Sequence, residues 1–320
     1  MSRLTAAVGA ARPRLRRLAL QLSEADVGRL LTPAHAIEAV EDSFRRLAAG
    51  TIENVPRYRV RLGDGGALAV MSAVDRDRKL SCVKTYAVTP EKASFVVVLF
   101  GGGDLKVVIE GDRLGQLRTG AASAVAAKHL ARSGARTLGV IGCGWQARSQ
   151  VACIREALPG IQEVVAYCRS EERLAEFCRE VGAEPGESHG DPAAADVVVT
   201  ITTSRDPVLR GEWLQPGALV CAAGANRRQA RELDNAALER AAFVCCDSLE
   251  VAKIESGDLI EPVEQGVLDW LEVHELQEVV AGEVAGRQAD DDIVVFKSNG
   301  LAAWDLAVAA SVVELDRMEP

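Results

Sequence analysis

Three basic residues in the first half of the chain stand in settings where an isolated charge is costly. Arg57 follows a proline in a β-rich stretch, Lys84 stands in an apolar run, and Arg118 falls at the predicted start of a helix. A buried cation needs an anionic partner, and a helix dipole disfavours a cation at a helix start unless an anion shares the site. We therefore expect either one bound substrate carboxylate or, as the alternative, a protein Asp or Glu beside each cation.

A glycine turn provides the second chemical pattern. It reads Gly142-Cys143-Gly144-Trp145-Gln146-Ala147 and joins an apolar run to a helix-like stretch. Gly142 permits a tight turn, Gly144 lets a pyrophosphate approach the backbone, and Ala147 keeps the helix close to the strand. The free N–H groups at the helix start would hold the anion. The strand–turn–helix context favours a dinucleotide site over a glycine turn without a ligand.

The residues after the next predicted strand bear on the choice of cofactor. In NAD sites an acidic residue about 20 positions after the glycines binds the ribose 2′-hydroxyl. Here Cys168 stands at that position and is followed by Arg169 and Ser170. A cation and a hydroxyl suit a 2′-phosphate, so the sequence favours NADP. The alternative is NAD, with Arg169 solvated and Glu171 contacting the ribose.

The pattern of elements changes once along the chain. Helix starts are predicted at Ser23 and Thr32, and an alanine-rich helix at Thr119–Ala131. Between them, short β-rich runs separated by glycine and charged turns predict an antiparallel or mixed sheet. These runs are Tyr58–Leu62, Ala67–Ser72, Ser81–Ala87, Phe95–Phe100 and Lys106–Glu110. From Arg136 onward, strands alternate with helices, which is typical of a parallel sheet with crossover helices.

The strands predicted for this parallel sheet are Thr137–Ile141, Glu163–Tyr167, Val197–Thr202, Ala218–Ala223, Phe243–Cys246 and Asp290–Phe296, and an apolar helix is predicted at Leu301–Leu315. The fold class is therefore α/β. A Rossmann-type, doubly wound parallel sheet domain (131–296) is inserted into a second, α+β domain for substrate binding and dimerisation (18–130 plus 297–320). Residues 1–17 carry five arginines and no acid. They are predicted to be a flexible extension, with an organellar presequence as the alternative.

Composition excludes several classes of function. The formal net charge of -9 over 320 residues disfavours a nucleic-acid binder. Four histidines without a metal-binding spacing give no catalytic metal site. The eight cysteines contain no Cys-x-x-Cys pair and lie mostly in apolar runs, which indicates reduced core residues and a cytoplasmic location. No apolar run reaches the roughly 18 residues of a membrane span.

A series of motifs in a fixed order resembles the ornithine cyclodeaminase/μ-crystallin family from about Leu18 to Val313. Each motif is short, and their order carries the resemblance. They are Pro56-Arg57, Lys84, Arg118-Thr119-Gly120-Ala121-Ala122, the glycine turn, Thr202-Thr203-Ser204 with Pro207, Gly211-Glu212-Trp213, Pro216-Gly217-Ala218, Gly224-Ala225-Asn226 with Arg231-Glu232-Leu233-Asp234, Glu255-Ser256-Gly257-Asp258, and Phe296-Lys297-Ser298-Asn299-Gly300 with Asp305.

The resemblance implies roles for these residues. Those matching Arg57, Lys84 and Arg118 bind the α-carboxylate of an amino or imino acid, and Lys84 lies near the reacting nitrogen. The segment 297–300 approaches the nicotinamide. The cofactor-binding residues expected from the motifs and the glycine turn are Thr119, Gly142, Gly144, Trp145, Gln146, Ala147, Arg169, Ser170, Thr202, Lys297 and Ser298. Family members are typically homodimers, so a homodimer is expected.

Asn226 departs from the cyclodeaminase pattern. Cyclodeaminases carry an aspartate there, whereas reductase-type members such as μ-crystallin carry an uncharged polar residue. An amide cannot act as a general base. The resemblance therefore implies an NAD(P)H-dependent imine reductase or amino-acid dehydrogenase acting on a small, cyclic α-imino acid, with Lys84 or water near Asn226 supplying the nitrogen proton. The alternatives are an NAD-recycling cyclodeaminase and a μ-crystallin-type binding protein.

Overall fold

Two β-sheets organise the molecule. The structure is a computed structural model that describes residues 19–63 and 65–319, so the expected N-terminal extension lies outside the described residues. The first sheet has six strands and the second has eight. Helix α11 (Ala302–Met318) follows the last strand of the second sheet and packs on the first. The second sheet is therefore inserted into the unit built on the first.

The first unit runs from Leu20 to Leu130. Its elements are β1 (Leu20–Leu22), α1 (Glu24–Leu30), α2 (Pro33–Ala48), β2 (Ile52–Arg61), β3 (Ala67–Asp75), β4 (Leu80–Val88), β5 (Ala93–Gly101), β6 (Asp104–Glu110) and α3 (Asp112–Leu130). The strand order is β1-β6-β5-β4-β3-β2. The pair β1–β6 is parallel and the other pairs are antiparallel, so the sheet is mixed, as predicted.

The second unit alternates strands and helices. Its elements are β7 (Thr137–Ile141), α4 (Trp145–Ala157), β8 (Glu163–Tyr167), α5 (Glu171–Val181), β9 (Glu184–Pro185), α6 (Gly190–Ala193), β10 (Val197–Thr200), β11 (Leu219–Ala222), α7 (Asn235–Glu239), β12 (Ala241–Cys246), α8 (Leu249–Glu255), α9 (Gly257–Glu264), β13 (Val273–Glu275), α10 (Leu276–Ala281) and β14 (Ile293–Lys297). The order is β13-β12-β14-β11-β10-β7-β8-β9, with every pair parallel.

Local sequence explains where the first helices begin. The hydroxyl of Ser23 accepts a hydrogen bond from the backbone N–H of Asp26, and the carboxylate of Asp26 accepts one from the backbone N–H of Ser23, which completes a capping box. Thr32 caps α2, with Pro33 in the first turn. Both starts were predicted from the sequence.

One predicted start is wrong. Helix α3 begins at Asp112, seven residues before the predicted Thr119, so Arg118 lies in the second turn rather than at the helix start. The prediction relied on the alanine-rich run and missed the preceding turn, which holds Gly115 inside the helix. The dipole argument for an anion beside Arg118 therefore fails, and the case for an anion there must come from its contacts.

The core extends continuously across both units. Trp304 on α11 is fully buried, and its ring centroid lies 5.6 Å from that of Phe44 on α2. Helices α3 and α4 pack closely because Gly120 faces α4: a Cβ there would meet the Ser149 carbonyl at 2.3 Å. The glycine turn that starts α4 is thus fixed against the first unit.

Among the described helices, none is long and apolar enough to cross a membrane.

Candidate active site

A cavity of about 390 Å³ lies between the first sheet and the ends of the parallel strands. Its walls come from β2, β3, β4, β5, α3, the glycine turn and the loops after β10, β11 and β14. Arg57, Lys84 and Arg118 all line it, as do Thr119, Thr202 and Asn226. The structure therefore brings the three sequence-predicted cations together with one end of the predicted dinucleotide site.

A β-bulge in edge strand β2 aims two arginines at this cavity. Val55 pairs with Ser72 and Tyr58 with Val70, so two residues, Pro56 and Arg57, stand opposite one. Pro56 has no N–H to donate, and an edge-strand bulge is where proline is tolerated. Beyond the bulge, Arg57 is buried, Tyr58 is 71% exposed and Arg59 again faces inward.

Arg57 is held mainly by the other domain. Its Nη1 donates to Glu255 Oε2 at 2.5 Å, and its Nη2 donates to the carbonyl of Asn299 at 3.1 Å. Arg59 donates to the second oxygen of Glu255 at 2.7 Å. Burial raises the pKa of Glu255, while the two guanidinium groups oppose that shift. A carboxylate at the end of α8 thus connects the second unit to the first sheet.

Lys84 and Arg118 share one buried carboxylate. Lys84 Nζ donates to Asp305 Oδ1 at 2.8 Å, and Arg118 Nε lies 3.4 Å from the same oxygen. The Arg118 guanidinium also lies over the Trp304 ring, 5.6 Å from its centroid. Within residues 19–63 and 65–319, it makes no hydrogen bond. Each predicted cation thus has an acidic neighbour, and Arg118 keeps donors for a ligand.

The environment of Lys84 prepares it for proton transfer. Burial and then the charge of Arg118 lower the pKa of Lys84, Asp305 opposes both, and the resulting pKa is about 8. A group with a pKa near the working pH exchanges a proton most effectively in general acid–base catalysis. The Lys84 ammonium can therefore act as a proton donor near neutral pH and as an acceptor above it.

Two glycines make room for the cation cluster. A Cβ on Gly115 would lie 2.9 Å from Lys84 Nζ, and a Cβ on Gly300 would lie 3.0 Å from Arg118 Nη1 and 3.3 Å from Arg57 Nη2. Gly300 also has a φ of +91°, which favours glycine. The guanidinium groups of Arg57 and Arg118 therefore meet beside Gly300, in the loop that follows β14.

A second cavity, of about 360 Å³, continues along the glycine turn. Gly142 has a φ of +112°, and a Cβ there would meet the Ile201 carbonyl at 2.4 Å. Gly144 precedes α4, and no atom lies within 4 Å of the place where its Cβ would be. Ala147 is fully buried. The turn therefore leaves open space at the N-terminus of a 13-residue helix, as an anion site requires.

The outer end of the second cavity is basic. Arg169, Ser170 and Arg173 line it together with His189, and no acidic side chain among the described residues does so. Burial lowers the pKa of His189, and the charge of Arg169 adds to that effect. Glu171, the alternative ribose partner, lies in the exposed first turn of α5 and not in the cavity lining.

Buried carboxylates that the sequence analysis did not use support the loops between the cavities. Glu232 accepts hydrogen bonds from the amides of Thr202, Gly224 and Ala225, and from the Thr202 hydroxyl at 2.9 Å. Asp247 accepts hydrogen bonds from the backbone N–H groups of Asn299 and Gly300, each at 2.6 Å.

Trp145 and Gln146, at the start of α4, line the first cavity on the side of that helix.

Lys297 is placed differently from the expectation. Its side chain is fully buried, with Nζ 2.9 Å from Asp258 Oδ2 and donating to the Ala225 carbonyl at 2.6 Å. It therefore holds the loop after β11 from the core side and does not line either cavity. Ser298, the next residue, does line the first cavity. Alternation along β14 sends neighbouring side chains to opposite faces, which the motif alone did not resolve.

The sequence analysis missed two cavity arginines, Arg59 and Arg227. Arg59 donates to the Asn226 carbonyl at 3.1 Å and lies 3.4 Å from its side-chain oxygen. A period of two from Arg57 would have identified Arg59. Arg227 follows the Asn226 position directly, but an exposed arginine in a loop gives no pattern that distinguishes it.

The parallel sheet, with a glycine turn after β7, defines a Rossmann-type protein. The chain matches the ornithine cyclodeaminase/mu-crystallin family over residues 19–318 and belongs to that family. It is 33% identical to an alanine dehydrogenase of Archaeoglobus fulgidus over 92% of this chain and 94% of the relative. It is 36% identical to a Delta(1)-pyrroline-2-carboxylate reductase of Bacillus cereus over 77% of this chain and 80% of the relative.

Solved structures show the same fold. The Thermococcus litoralis Delta(1)-pyrroline-2-carboxylate reductase in complex with NADH and L-proline superposes with a TM-score of 0.88 at 31% identity, covering 93% of this chain and 97% of that one. The iminosuccinate reductase of Paracoccus denitrificans in complex with NAD+ gives a TM-score of 0.87 at 30% identity, covering 94% and 97%. The expected α/β fold and family are thereby confirmed.

Proposed function

We propose that the protein is a nicotinamide-dependent oxidoreductase that interconverts small α-imino acids and α-amino acids. The observation that carries the proposal is the junction of the two cavities, where Lys84 and Arg118 face the same space as the glycine turn. The names of the relatives include alanine, pyrroline-2-carboxylate and iminosuccinate as substrates. These are α-amino or α-imino acids that differ in their side chains.

The chain's own residues perform binding and proton transfer. Arg118, with Arg57 beside it, binds the substrate α-carboxylate through charge-assisted hydrogen bonds. Lys84 donates a proton to the imine nitrogen, and the Asp305 carboxylate holds the resulting neutral amine in place. The bound nicotinamide supplies the hydride. Holding the reactants at near-attack geometry contributes roughly 7–11 kcal/mol to lowering the barrier.

We further propose that the preferred cofactor is NADP. Arg169, Arg173 and the Ser170 hydroxyl would surround a 2′-phosphate, whereas an NAD site requires an acid at this place. The pyrophosphate would lie over Gly144 at the start of α4. Replacing Gly144 by valine should weaken nucleotide binding by orders of magnitude, because the side chain occupies that open space. Nucleotide titration by fluorescence measures this; unchanged binding would remove the assignment.

We also propose a homodimer that uses the outer face of the first sheet, with 18–130 plus 297–320 as the dimerisation domain and 131–296 as the nucleotide domain. Exposed apolar side chains cover that face on β2 and β3. Tyr58 is 71% exposed, Val60 45% and Val74 44%. Such a contiguous apolar surface is typical of an interaction site. Sedimentation of the parent and of Tyr58→Glu would test it: the variant should be monomeric.

The remaining alternatives are a cyclodeaminase and a binding protein with little turnover. Asn226 lies at the cavity wall, where its amide cannot take a proton. The experiment supplies an α-imino acid and records oxidation of NADPH and NADH, with ammonia measured in parallel from ornithine. Stoichiometric oxidation supports the reductase. Ammonia release without net loss of reduced nicotinamide would replace it by the cyclodeaminase, and neither signal would favour the binding protein.

A further inference from the structure

The inner face of the first sheet continues beyond Arg57, Lys84 and Arg118 into a second row of side chains. The strand register aligns Arg59 on β2 with Ala69 on β3, Tyr86 on β4 and Phe95 on β5. All four line the first cavity. This row lies two residues along the strands from Lys84, a distance of about 7 Å. It therefore faces the substrate atoms that lie beyond the α-carboxylate and the reacting carbon.

Arg59 in this row and Arg227 beside it form a second pair of cations. Arg59 is partly buried, and its pKa is lowered first by burial and then by the charges of Arg57 and Arg227. Arg227 is exposed on the loop after β11 and lines the same cavity. In the described part of the chain it forms no ion pair. Arg59 already pairs with Glu255, whereas Arg227 has no acidic partner among the described residues, so the two guanidinium groups together keep one positive charge that can attract an anion.

The charges around the cavity leave room for more than one ligand carboxylate. Its lining contains five cationic side chains: Arg57, Arg59, Lys84, Arg118 and Arg227. Among the described residues, three carboxylates balance them: Asp112 in the lining, and Glu255 and Asp305 behind it. The excess is two positive charges. An α-carboxylate neutralises one and leaves one at the Arg59–Arg227 end.

The space at that end suits a short side chain. Two small side chains of β3 line the cavity here: Ala69 lies opposite Arg59, and Ala67 follows two residues away on the same strand. Tyr86 faces the same space, and its hydroxyl makes no hydrogen bond within the described residues. A carboxylate here would accept from both guanidinium groups and from this hydroxyl.

We propose that the substrate is an α-imino dicarboxylic acid, the imine of a four- or five-carbon 2-oxo diacid, with its second carboxylate between Arg59 and Arg227. This rests on the proposed function. The reaction balances as before: the imine carbon gains the hydride, the nitrogen gains the Lys84 proton, and the nicotinamide is oxidised. The product is an acidic α-amino acid.

The test compares imines formed with ammonia from a 2-oxo diacid and from pyruvate, and a preformed cyclic imino monoacid, scored by oxidation of reduced nicotinamide. We expect kcat/KM for the diacid to exceed that for either monoacid by at least about tenfold. Arg227→Gln should lower the diacid value by roughly tenfold and leave the monoacids unchanged. Arg228→Gln, which alters an exposed neighbour paired with Glu264, is the matched control and should change neither.

Three outcomes decide the matter. A parent enzyme that reduces the monoacids as well as the diacid overturns the side-chain assignment and leaves the oxidoreductase intact. An equal effect of Arg227→Gln on all three substrates does the same, because it places Arg227 outside the side-chain subsite. No oxidation with any imino acid overturns the oxidoreductase and this inference together.

Discussion

The two cavities hold their positive charges in opposite ways. At the substrate end, Lys84 and Arg57 are almost fully buried and tied to carboxylates. At the outer cofactor end, Arg169 and Arg173 are exposed, with no acid in the lining formed by the described residues. Buried ion pairs are costly to break, whereas exposed charges are screened by solvent and can be replaced at little cost in stability. The charges at the proposed substrate end are therefore part of the folded core, whereas those at the proposed cofactor end can be changed without disturbing it.

Changing Lys84 should give the largest effect. Lys84→Met removes the proton donor and leaves Asp305 with only Arg118, so kcat should fall by about 10²–10⁴ and the free energy of unfolding by up to about 3–5 kcal/mol. Steady-state kinetics and urea unfolding measure the two effects. Combining Lys84→Met with Asp305→Asn should restore stability without restoring kcat. Recovery of kcat in that double variant would refute the role of Lys84.

Arg118→Ala should act mainly on substrate binding. It removes about 1.5–3 kcal/mol of charge-assisted hydrogen bonding to the α-carboxylate, so KM should rise roughly 10- to 100-fold with a smaller change in kcat. The control is Arg132→Ala, a basic residue between α3 and β7 that pairs with Asp196 away from both cavities. An unchanged KM in Arg118→Ala would mean that another group binds the carboxylate.

The pH dependence tests the same end without removing an atom. Because burial favours the neutral amine, the pKa of Lys84 lies at about 8. Below that value the ammonium donates a proton, so reduction should be fastest there and should fall as the pH rises through about 8. Oxidation of the amino acid should rise over the same interval. The Lys84→Met variant should lack this transition; its persistence would assign it to the substrate.

The cofactor end should give the smallest and most selective effect. Arg169→Ala should weaken NADPH binding by at most about 1.5–3 kcal/mol, since the guanidinium is exposed, and leave NADH nearly untouched. Fluorescence titration with both nucleotides measures the difference. Arg179→Ala, on the exposed side of α5, is the control. Equal losses for both nucleotides, or a parent that prefers NADH, would contradict the NADP assignment.

The sequence predicted the parts of this site that depend on local pattern. The glycine turn, both sheets and the convergence of Arg57, Lys84 and Arg118 followed from residue type, spacing and family resemblance. What it could not supply was long-range pairing. Glu255 reaches Arg57 across 198 residues and Asp305 reaches Lys84 across 221. The first contact is set by how the two units pack and the second by how α11 packs on the first sheet, and no local periodicity encodes either.

Side-chain direction was the second limit. Lys297 belongs to a motif beside the cavity, yet β14 turns it into the core, where it pairs with Asp258. Arg118 was assigned to a helix start because the first two turns of α3, residues 112–118, are not alanine-rich. In both cases the segment lies beside the first cavity, and the backbone geometry decides which of its side chains face that cavity.

The bulge in β2 has a consequence for chain length. Deleting Pro56 would give a regular strand in which Arg57 and Arg59 still face inward, because the residue that stands in excess of its partner is removed. A one-residue deletion after Arg59, by contrast, would shift the pairing of the end of β2 with β3. Arg57 and Arg59 would then keep their positions only if the bulge persisted. A gap at Pro56 in a relative is thus compatible with an intact anion site, and this strand can vary in length at that point without a change of chemistry.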